Sequence, residues 1–351
     1  MTTLARLKDQ VRNAVSNSEP LCIVGGNSKR HLGRKPTGTP IEVSHYSGIV
    51  DYQPTELVVT ARAGTAVAEL QQTLAEKNQM LACDPPEFDG KATIGGALAC
   101  NQSGPSRPWY GSIRDHVLGV RLINGKGEHL RFGGQVMKNV AGYDVSRLQA
   151  GAMGTYGLLT EMSLKVWPKP ESSITVRRNT DASDAIRVMN EISMTPAPLT
   201  GACWYEGNIY LRLSGPEAVI EAAASGLTGE RLVNDTAFWA SLRDQTLPFF
   251  SAAPDLWRFS LRSNSAHVNS HNDWLIDWGG AQRWLAGQHD RAELEGVAAS
   301  ANGEVTRIRG GDQSAERLPS LSDSKRELLI RLKHAFDPAR VFNPGRLYGW
   351  M

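Results

Sequence analysis

The chain has 351 residues, of which 41% are hydrophobic and 21% charged, a composition typical of folded globular proteins. Its 38 basic and 36 acidic residues leave a net charge of +2, so the charge balance gives no reason to expect nucleic acid or an anionic membrane as the main partner. Because one hydrophobic core stops growing near about 250–300 residues, the length predicts one large domain with a second lobe.

Helix and strand signals alternate along the first eighty residues. Residues 1–17 are predicted to form a helix, because Leu7 and Val11 share its apolar face. The apolar run at residues 21–24 predicts a buried strand that enters a glycine-containing loop. Further strands are expected at residues 41–43, 48–52 and 57–61, and a helix with Thr65 as its N-cap is expected to reach Asn78.

Glycines are concentrated in the middle of the chain, where 14 of the 34 fall between Gly90 and Gly157. Such density suggests a backbone that must approach something closely. Strands are predicted at residues 117–123 and 128–132, joined by the turn sequence Asn-Gly-Lys-Gly, and again at residues 157–166. The proline-rich break at residues 167–170 marks the first predicted boundary, giving domains at 1–170 and 171–320 and a C-terminal segment at 321–351.

The second domain carries seven of the nine tryptophans, which we assign to core and inter-lobe packing. Its strand–helix–strand–strand–helix–strand order predicts an antiparallel sheet with helices on one face, and the fold class is therefore α+β. A last helix is expected at residues 323–336. Its inward side chains are predicted to be Leu328, Leu329, Leu332 and Phe336.

Four cysteines, at positions 22, 83, 100 and 203, show no C-x-x-C spacing, so no iron–sulfur cluster or structural zinc site is encoded. We expect reduced thiols in a cytoplasmic protein; two disulfides stay open as the alternative. No run of about 18 apolar residues would span a bilayer, and peripheral membrane attachment through a partner stays open.

Neither G-x-G-x-x-G nor a P-loop occurs, so neither a Rossmann dinucleotide site nor nucleotide hydrolysis is supported. Two other loops, at residues 25–28 and 92–97, offer successive backbone N–H groups with little obstruction by Cβ atoms. Such loops form anion-binding concavities, although each alone is also typical of an ordinary tight turn.

Sequence blocks follow one another at residues 25–28, then 84–86, 92–96 and 110–119, then 138–148 and 151–161, with Asn343-Pro344-Gly345-Arg346 in the tail. In this order they resemble the FAD-binding domain of vanillyl-alcohol-oxidase-type flavoproteins, also called the PCMH-type domain. The resemblance covers most of residues 20–168 and the tail. It implies a two-subdomain FAD-binding domain at 1–170, a smaller antiparallel cap at 171–320 and a tail that returns to the FAD cleft.

Residues 113–166, 275–280 and 283–285 further resemble the family of FAD-binding E subunits of bacterial glycolate oxidase. That resemblance implies a complex with a larger D-type flavoprotein subunit and an iron–sulfur F-type subunit. Such a complex oxidises the 2-hydroxy acid glycolate to glyoxylate and passes electrons to the membrane. It implies a cytoplasmic chain, or one peripheral on the cytoplasmic face of the inner membrane.

Carried over by position, the resemblance implies FAD contacts from Gly25, Gly26, Asn27, Ser28, Pro85, Thr93, Gly95, Gly96, Gly157, Leu158 and Asn343. The first and second loops would cradle the diphosphate from two sides, so we expect a side chain added at Gly26 or Gly95 to collide with phosphate oxygens. Asn27 stands where covalent relatives have a histidine, which implies noncovalent FAD. We expect Arg114 and Asp115 to form a structural pair.

Catalytic residues are left unassigned, because no base stands out among the eight histidines. Residues 307–314 lack the two histidines of larger hydroxy-acid oxidases, and Asp312 alone is a poor metal ligand set, so no metal is expected. Surface or salt-bridge roles are expected for Arg307, Arg309 and Arg346. A self-sufficient 2-hydroxy acid oxidase and a non-catalytic assembly subunit with a retained flavin site stay open as alternatives.

Overall fold

The computed structural model describes residues 3–134, 143–232, 235–267 and 274–351. Motif residues 138–142 therefore lie outside the described residues. The chain divides into two compact units: unit 1 comprises Met1–Ser103, Ser112–Pro168 and Asp312–Met351, and unit 2 comprises Gly104–Gly111 and Lys169–Gly311. The functional domains with boundaries at 1–170, 171–320 and 321–351 stay a prediction.

Helices and strands occupy both units. The helices are α1 (Thr3–Asn17), α2 (Val67–Ala75), α3 (Ile94–Ala99), α4 (Arg107–Tyr110), α5 (Ile113–His116), α6 (Val145–Leu148), α7 (Ala182–Ser193), α8 (Glu217–Ser225), α9 (Asp235–Arg243), α10 (Pro248–Ser251), α11 (Arg291–Ser300) and α12 (Asp323–Phe336). The strands are β1 (Leu21–Val24), β2 (Thr39–Glu42), β3 (Ile49–Gln53), β4 (Val58–Arg62), β5 (Gln79–Met80), β6 (Val117–Ile123), β7 (His129–Gly133), β8 (Leu158–Lys165), β9 (Trp167–Pro168), β10 (Ser172–Asn179), β11 (Leu199–Tyr205), β12 (Asn208–Gly215), β13 (Glu230–Arg231), β14 (Leu256–Ser260), β15 (Trp274–Asp277), β16 (Gln282–Ala286) and β17 (Glu304–Arg309).

Unit 1 contains a five-stranded antiparallel sheet in the order β3-β4-β8-β6-β7 and a separate parallel pair, β1 with β2. The central strand β8 is buried on both faces, and Leu7 and Val11 of α1 are completely buried in the same core. The predicted N-terminal helix, the first strands and the β6–β7 hairpin are confirmed, and so is the mixed class of helix and sheet.

The beginning of helix α2 differs from the sequence prediction. The helix begins at Val67 with Ala66 as its N-cap, and no side chain caps it. Thr65 instead exchanges two hydrogen bonds with Gly48: its Oγ1 accepts from the Gly48 N–H at 2.9 Å and donates to the Gly48 oxygen at 3.2 Å. A tertiary contact with a loop therefore wins over a local cap, and the N-cap prediction for Thr65 was wrong.

Helix α12 and the tail after it are fixed to unit 1 by a buried ion pair. The Lys333 ammonium lies 2.7 Å from an Asp337 carboxylate oxygen and also donates to the backbone oxygens of Thr155 and Phe342. Asp337 in turn accepts from the backbone N–H groups of Val341 and Phe342. Both charges of this ion pair thus have hydrogen-bonding partners. The chain then turns back, so that Phe342 pairs in parallel with Leu21.

Fewer apolar side chains of helix α12 are in contact with unit 1 than the sequence pattern predicts. Leu329, Leu332 and Phe336 contact an apolar cluster that includes Tyr156, but the side chain of Leu328 is 57% exposed. The prediction that Leu328 points inward was therefore wrong.

Unit 2 is built on an eight-stranded sheet in the order β13-β10-β12-β11-β15-β16-β14-β17, with every pair antiparallel. Consecutive residues of β10 point to opposite faces. Val176 packs with Ile186 of α7, whereas Thr175 accepts a hydrogen bond from the Trp239 indole of α9. Helices therefore cover both faces, and the expectation of helices on one face was wrong.

Buried tryptophans of unit 2, among them Trp257 and Trp274, lie in its core, as predicted. In the described ranges, no helix combines the length and apolarity needed to cross a membrane.

Candidate functional site

A cavity with about 910 Å³ of empty space, part of it open to solvent, lies in unit 1. Its wall brings together both glycine loops and the tail. It is lined by Cys22, Ile23, Val24, Gly25, Gly26, Asn27, Ser28, Lys29, Arg30, Pro36, Val43, Ala63, Thr93, Gly95, Gly96, Ala99, Cys100, Met153, Gly154, Gly157, Leu159, Asn343 and Arg346.

The first loop, residues 25–28, follows strand β1 and differs from the second in its backbone donors. Among the residues that the structure describes, none accepts a hydrogen bond from the N–H groups of these four positions. Asn27 adopts the left-handed conformation with φ of 57°. A left-handed residue within a run of N–H groups is the geometry that forms anion-binding concavities. The loop therefore fits a phosphate-bearing ligand.

The second loop, residues 92–97 together with the preceding Lys91, uses its backbone donors within the protein. The N–H of Ile94 donates to Thr65, that of Gly95 to Ala63 and that of Gly96 to the Thr93 hydroxyl at 3.2 Å. Thr93 is the N-cap of α3, and its hydroxyl keeps its own proton for donation. This loop therefore offers the cavity a side-chain hydroxyl rather than a row of amides.

The glycines of these loops serve the packing of the protein. A Cβ at Gly26 would lie 1.5 Å from the Lys91 backbone oxygen, and one at Gly95 would lie 2.7 Å from the Ala63 Cβ. Added side chains would thus strike the protein itself, whether or not a ligand is bound, and the expected collision with phosphate oxygens stays a prediction. The absence of side chains at these positions lets the two loops contact each other and the sheet.

Asn343 ties the tail to the floor of the cavity. Its side-chain oxygen accepts from the Ile23 N–H at 2.7 Å, and its side-chain nitrogen donates to the Met153 oxygen at 2.6 Å. Neighbouring Gly154 admits this amide, because a Cβ there would lie 2.8 Å from the Asn343 Nδ2. Both polar atoms of Asn343 are engaged, so the residue shapes the wall by joining three segments of unit 1.

Arg346 differs from its sequence prediction, since its side chain is only 8% exposed and lines the cavity. The guanidinium donates to the backbone oxygens of Lys29, Arg30 and Arg34. In the described part of the chain it forms no ion pair. The expected surface or salt-bridge role was therefore wrong for Arg346.

Arg307 agrees with that expectation, because it pairs with Asp255. Arg309 is half-buried and donates to backbone oxygens that include that of Ala253, so its expected role stays a prediction.

Two thiols that the sequence analysis did not assign to the site also face the cavity. Burial raises the pKa of Cys22 and of Cys100, and the Arg346 charge opposes the rise in both. Both are free thiols, as are Cys83 and Cys203 in the two cores. Reduced cysteines are confirmed, and the two in the wall are protonated at neutral pH.

Some sequence-predicted residues lie elsewhere. Gly157 lines the cavity, but Leu158 is fully buried in the core and Pro85 is also buried outside the wall. Their backbone roles stay predictions. Asp115 does not pair with Arg114; its carboxylate accepts from the N–H and hydroxyl of Ser112, each at 2.8 Å, and closes a capping box. The paired role of Asp115 was therefore wrong.

Chemically, the cavity is suited to binding. It combines unpaired amides and a buried cation with an apolar wall that includes Ile23, Val24 and Leu159, as a diphosphate joined to a flat aromatic group requires. None of its described lining residues is His, Asp or Glu, so this wall holds no general base. Within the described ranges, no cluster of His, Cys, Asp or Glu has metal-binding geometry, and Asp312 bonds to Ser314.

Comparison with known proteins gives a family model and full-length relatives. The model described as "FAD binding domain" matches residues 1–133. "Glycolate oxidase subunit GlcE" of Escherichia coli (strain K12) is 45% identical over 342 residues, which are 97% of this chain and 96% of that protein. "Glycolate oxidase subunit GlcD" of Bacillus subtilis (strain 168) is 33% identical over 159 residues, 45% of this chain and 34% of that protein.

More distant similarity covers almost the whole chain. "D-lactate dehydrogenase" of Archaeoglobus fulgidus is 23% identical over 395 residues, covering 95% of this chain and 87% of that protein. A solved structure of alkyldihydroxyacetonephosphate synthase superposes with a TM-score of 0.66 at 15% identity, covering 97% of this chain and 74% of that one. At that identity the structural match supports the fold alone.

Proposed function

The chain belongs to the family of glycolate oxidase E subunits, and from that premise we propose that it is the FAD-binding subunit of a complex that oxidises glycolate to glyoxylate. The cofactor is FAD, and the activity class is FAD-dependent oxidoreductase. The observation that carries the proposal is the cavity of unit 1, where amides of the first loop without acceptors and a buried arginine face one volume.

The residues that bind FAD are part of the proposal. The contacts are Gly25, Gly26, Asn27, Ser28, Pro85, Thr93, Gly95, Gly96, Gly157, Leu158 and Asn343. We assign them to a FAD-binding domain at 1–170, followed by a cap at 171–320 and a tail at 321–351. Asn27 contributes no imidazole nucleophile, so the FAD is held noncovalently.

Conversion of glycolate to glyoxylate removes two electrons and two protons, and bound FAD supplies the two-electron acceptor. The residues of the cavity wall bind and orient; they supply no base for the hydroxyl proton. The four cysteines are free and scattered, so a one-electron carrier must come from another chain. We therefore propose a larger D-type flavoprotein and an iron–sulfur F-type subunit as partners, with peripheral attachment to the inner membrane through them.

The proposal is tested by purifying the chain alone and with the two partner subunits, recording visible spectra and adding glycolate without oxygen. A yellow chain whose flavin is bleached by glycolate only in the complex is the expected result. A chain that binds no flavin would refute FAD binding. Bleaching of the isolated chain would instead support a self-sufficient hydroxy-acid oxidase.

A further inference from the structure

Arg346 is a buried charge that has no negative partner among the residues that the structure describes. Arg34, by contrast, lies 3.5 Å from a Glu316 carboxylate oxygen. The buried Arg283 also donates only to backbone oxygens among the described residues, but it does not line the cavity, whereas Arg346 does. Around Arg346 the described residues offer only neutral carbonyl oxygens. Burying an uncompensated charge is unfavourable, so a ligand that brings negative charge would relieve it.

The hydrogen bonds of Arg346 also fix where its charge lies. Two of its three acceptors, the oxygens of Lys29 and Arg30, follow the first loop directly in the chain. The guanidinium is therefore anchored beside the amides of residues 25–28, which lack acceptors, and it lines the same cavity. Its charge also acts on both Cys22 and Cys100 in the wall.

An anion in this corner would meet two kinds of donor at once. The amides accommodate oxygens by geometry, whereas the guanidinium supplies full positive charge. A diphosphate carries negative charge that can pair with the guanidinium, whereas the ring system of a flavin does not. The contribution of Arg346 should accordingly depend on the phosphate groups of the ligand and be nearly absent for the same ring without them.

Resting on the proposed function, we propose that Arg346 is the counter-charge of the FAD diphosphate and makes the cavity select FAD over phosphate-free riboflavin. The loop of residues 25–28 comes early in the sequence of unit 1 and Arg346 comes late, and the two then act as one anion-binding site. Asn343 positions this arginine by holding the tail against β1.

The test compares flavin affinities of the full chain, stripped of flavin, by fluorescence titration with FAD and with riboflavin. Arg346→Gln keeps hydrogen-bond donors but removes the charge, and Arg346→Lys keeps the charge. Arg309→Gln is the matched control, because Arg309 also binds backbone oxygens but does not line the cavity. Melting temperatures check that each variant is folded.

We expect Arg346→Gln to weaken FAD binding by about 10–100-fold, as for loss of a charge-assisted hydrogen bond, and riboflavin binding by less than about 3-fold. Arg346→Lys should recover most of the loss, and Arg309→Gln should leave both affinities unchanged. Equal losses for FAD and riboflavin, or no loss for FAD, would overturn the inference alone. Failure of the unmodified chain to bind FAD would instead overturn the proposed function.

A measurement without substitution guards against misfolding of the variants. Cys22 and Cys100 line the cavity, whereas Cys83 and Cys203 are buried in the cores and serve as internal controls. Millimolar inorganic diphosphate should slow alkylation of Cys22 and Cys100 in the unmodified chain, as FAD does, without changing the controls. Protection by FAD but none by diphosphate would contradict a diphosphate site at Arg346.

Discussion

The two glycine loops of unit 1 look alike in sequence but differ in what their backbones do. In the first loop, the N–H groups of residues 25–28 have no acceptor among the described residues. In the second, the N–H groups of residues 94–96 all donate to the protein. A Gly-Gly pair therefore does not by itself identify a ligand-binding loop. The first loop has amides that remain available to the proposed ligand, whereas the second loop packs against the protein and offers the hydroxyl of Thr93.

The largest effect is expected where the two loops touch. Gly26→Val would place Cβ 1.5 Å from the Lys91 oxygen, so the loops must separate, at a cost of about 3 kcal/mol. We expect a lower melting temperature and loss of bound flavin. The control is Gly296→Ala, because a Cβ there meets no atom within 4 Å and the residue does not line the cavity. Normal stability and flavin content in Gly26→Val would contradict the contact.

A smaller effect should come from the left-handed residue of the first loop. Asn27→Val must adopt a conformation that costs about 1–2 kcal/mol for a residue with a Cβ, whereas Asn27→Gly adopts it freely. The valine variant should bind FAD several-fold more weakly by equilibrium dialysis, and the glycine variant should match the unmodified chain. Equal binding by both variants would show that the loop conformation does not matter for the ligand.

Thr93 tests the second loop. Thr93→Val removes the acceptor of the Gly96 N–H, and loss of such a cap costs about 1 kcal/mol. It also removes the hydroxyl donor, so FAD affinity should fall modestly. Thr93→Ser keeps both functions and should restore stability in chemical denaturation. A valine variant as stable as the unmodified chain would contradict a contribution of this cap to stability.

The smallest effect is a dependence of stability on pH behind the second loop. His129 forms a hydrogen bond with the Thr160 hydroxyl at 2.9 Å. The backbone oxygen of Thr160 accepts from the Ala63 N–H, and the backbone oxygen of Ala63 accepts from the Gly95 N–H. Burial, and then the Arg121 charge, hold the pKa of His129 below its usual 6.5. Below pH 6.5 the unfolded chain therefore binds a proton that the folded chain resists, and stability falls.

Chemical denaturation between pH 7.5 and pH 5 measures this fall. His129→Gln keeps a hydrogen-bonding side chain but does not titrate, so its stability should change less over that interval. The same slope in both proteins would assign the pH dependence to other groups.

Local patterns predicted much of the fold. Strand β1, helix α1 and the β6–β7 hairpin follow from apolar spacing and turn residues that lie within a few positions of each other. Thr65 was misassigned, because its partner Gly48 lies in another loop. Leu328 was misassigned because apolar spacing cannot show where the neighbouring cluster ends.

The candidate site was predicted in part. Both loops and Asn343 line the cavity, since their motifs are local. The sequence predicts a surface or salt-bridge role for Arg346, because its partners Lys29 and Arg30 lie more than 300 positions away in the chain. The Asn-Pro-Gly-Arg string was the signal that could have placed it. The directions of the glycine Cα–H bonds, which separate packing from ligand contact, cannot be read from sequence.

The hydrogen bond between Ile23 and Asn343 has a consequence for the biogenesis of the protein, since it joins positions 320 residues apart. On the ribosome, the first loop emerges early, but it lacks its supporting wall until the chain through Arg346 has been made. We therefore expect flavin to bind only after the tail has been synthesised. Contacts between positions so far apart in the chain form slowly. Until they form, Cys22 and β1 of the nascent chain are accessible to solvent and chaperones.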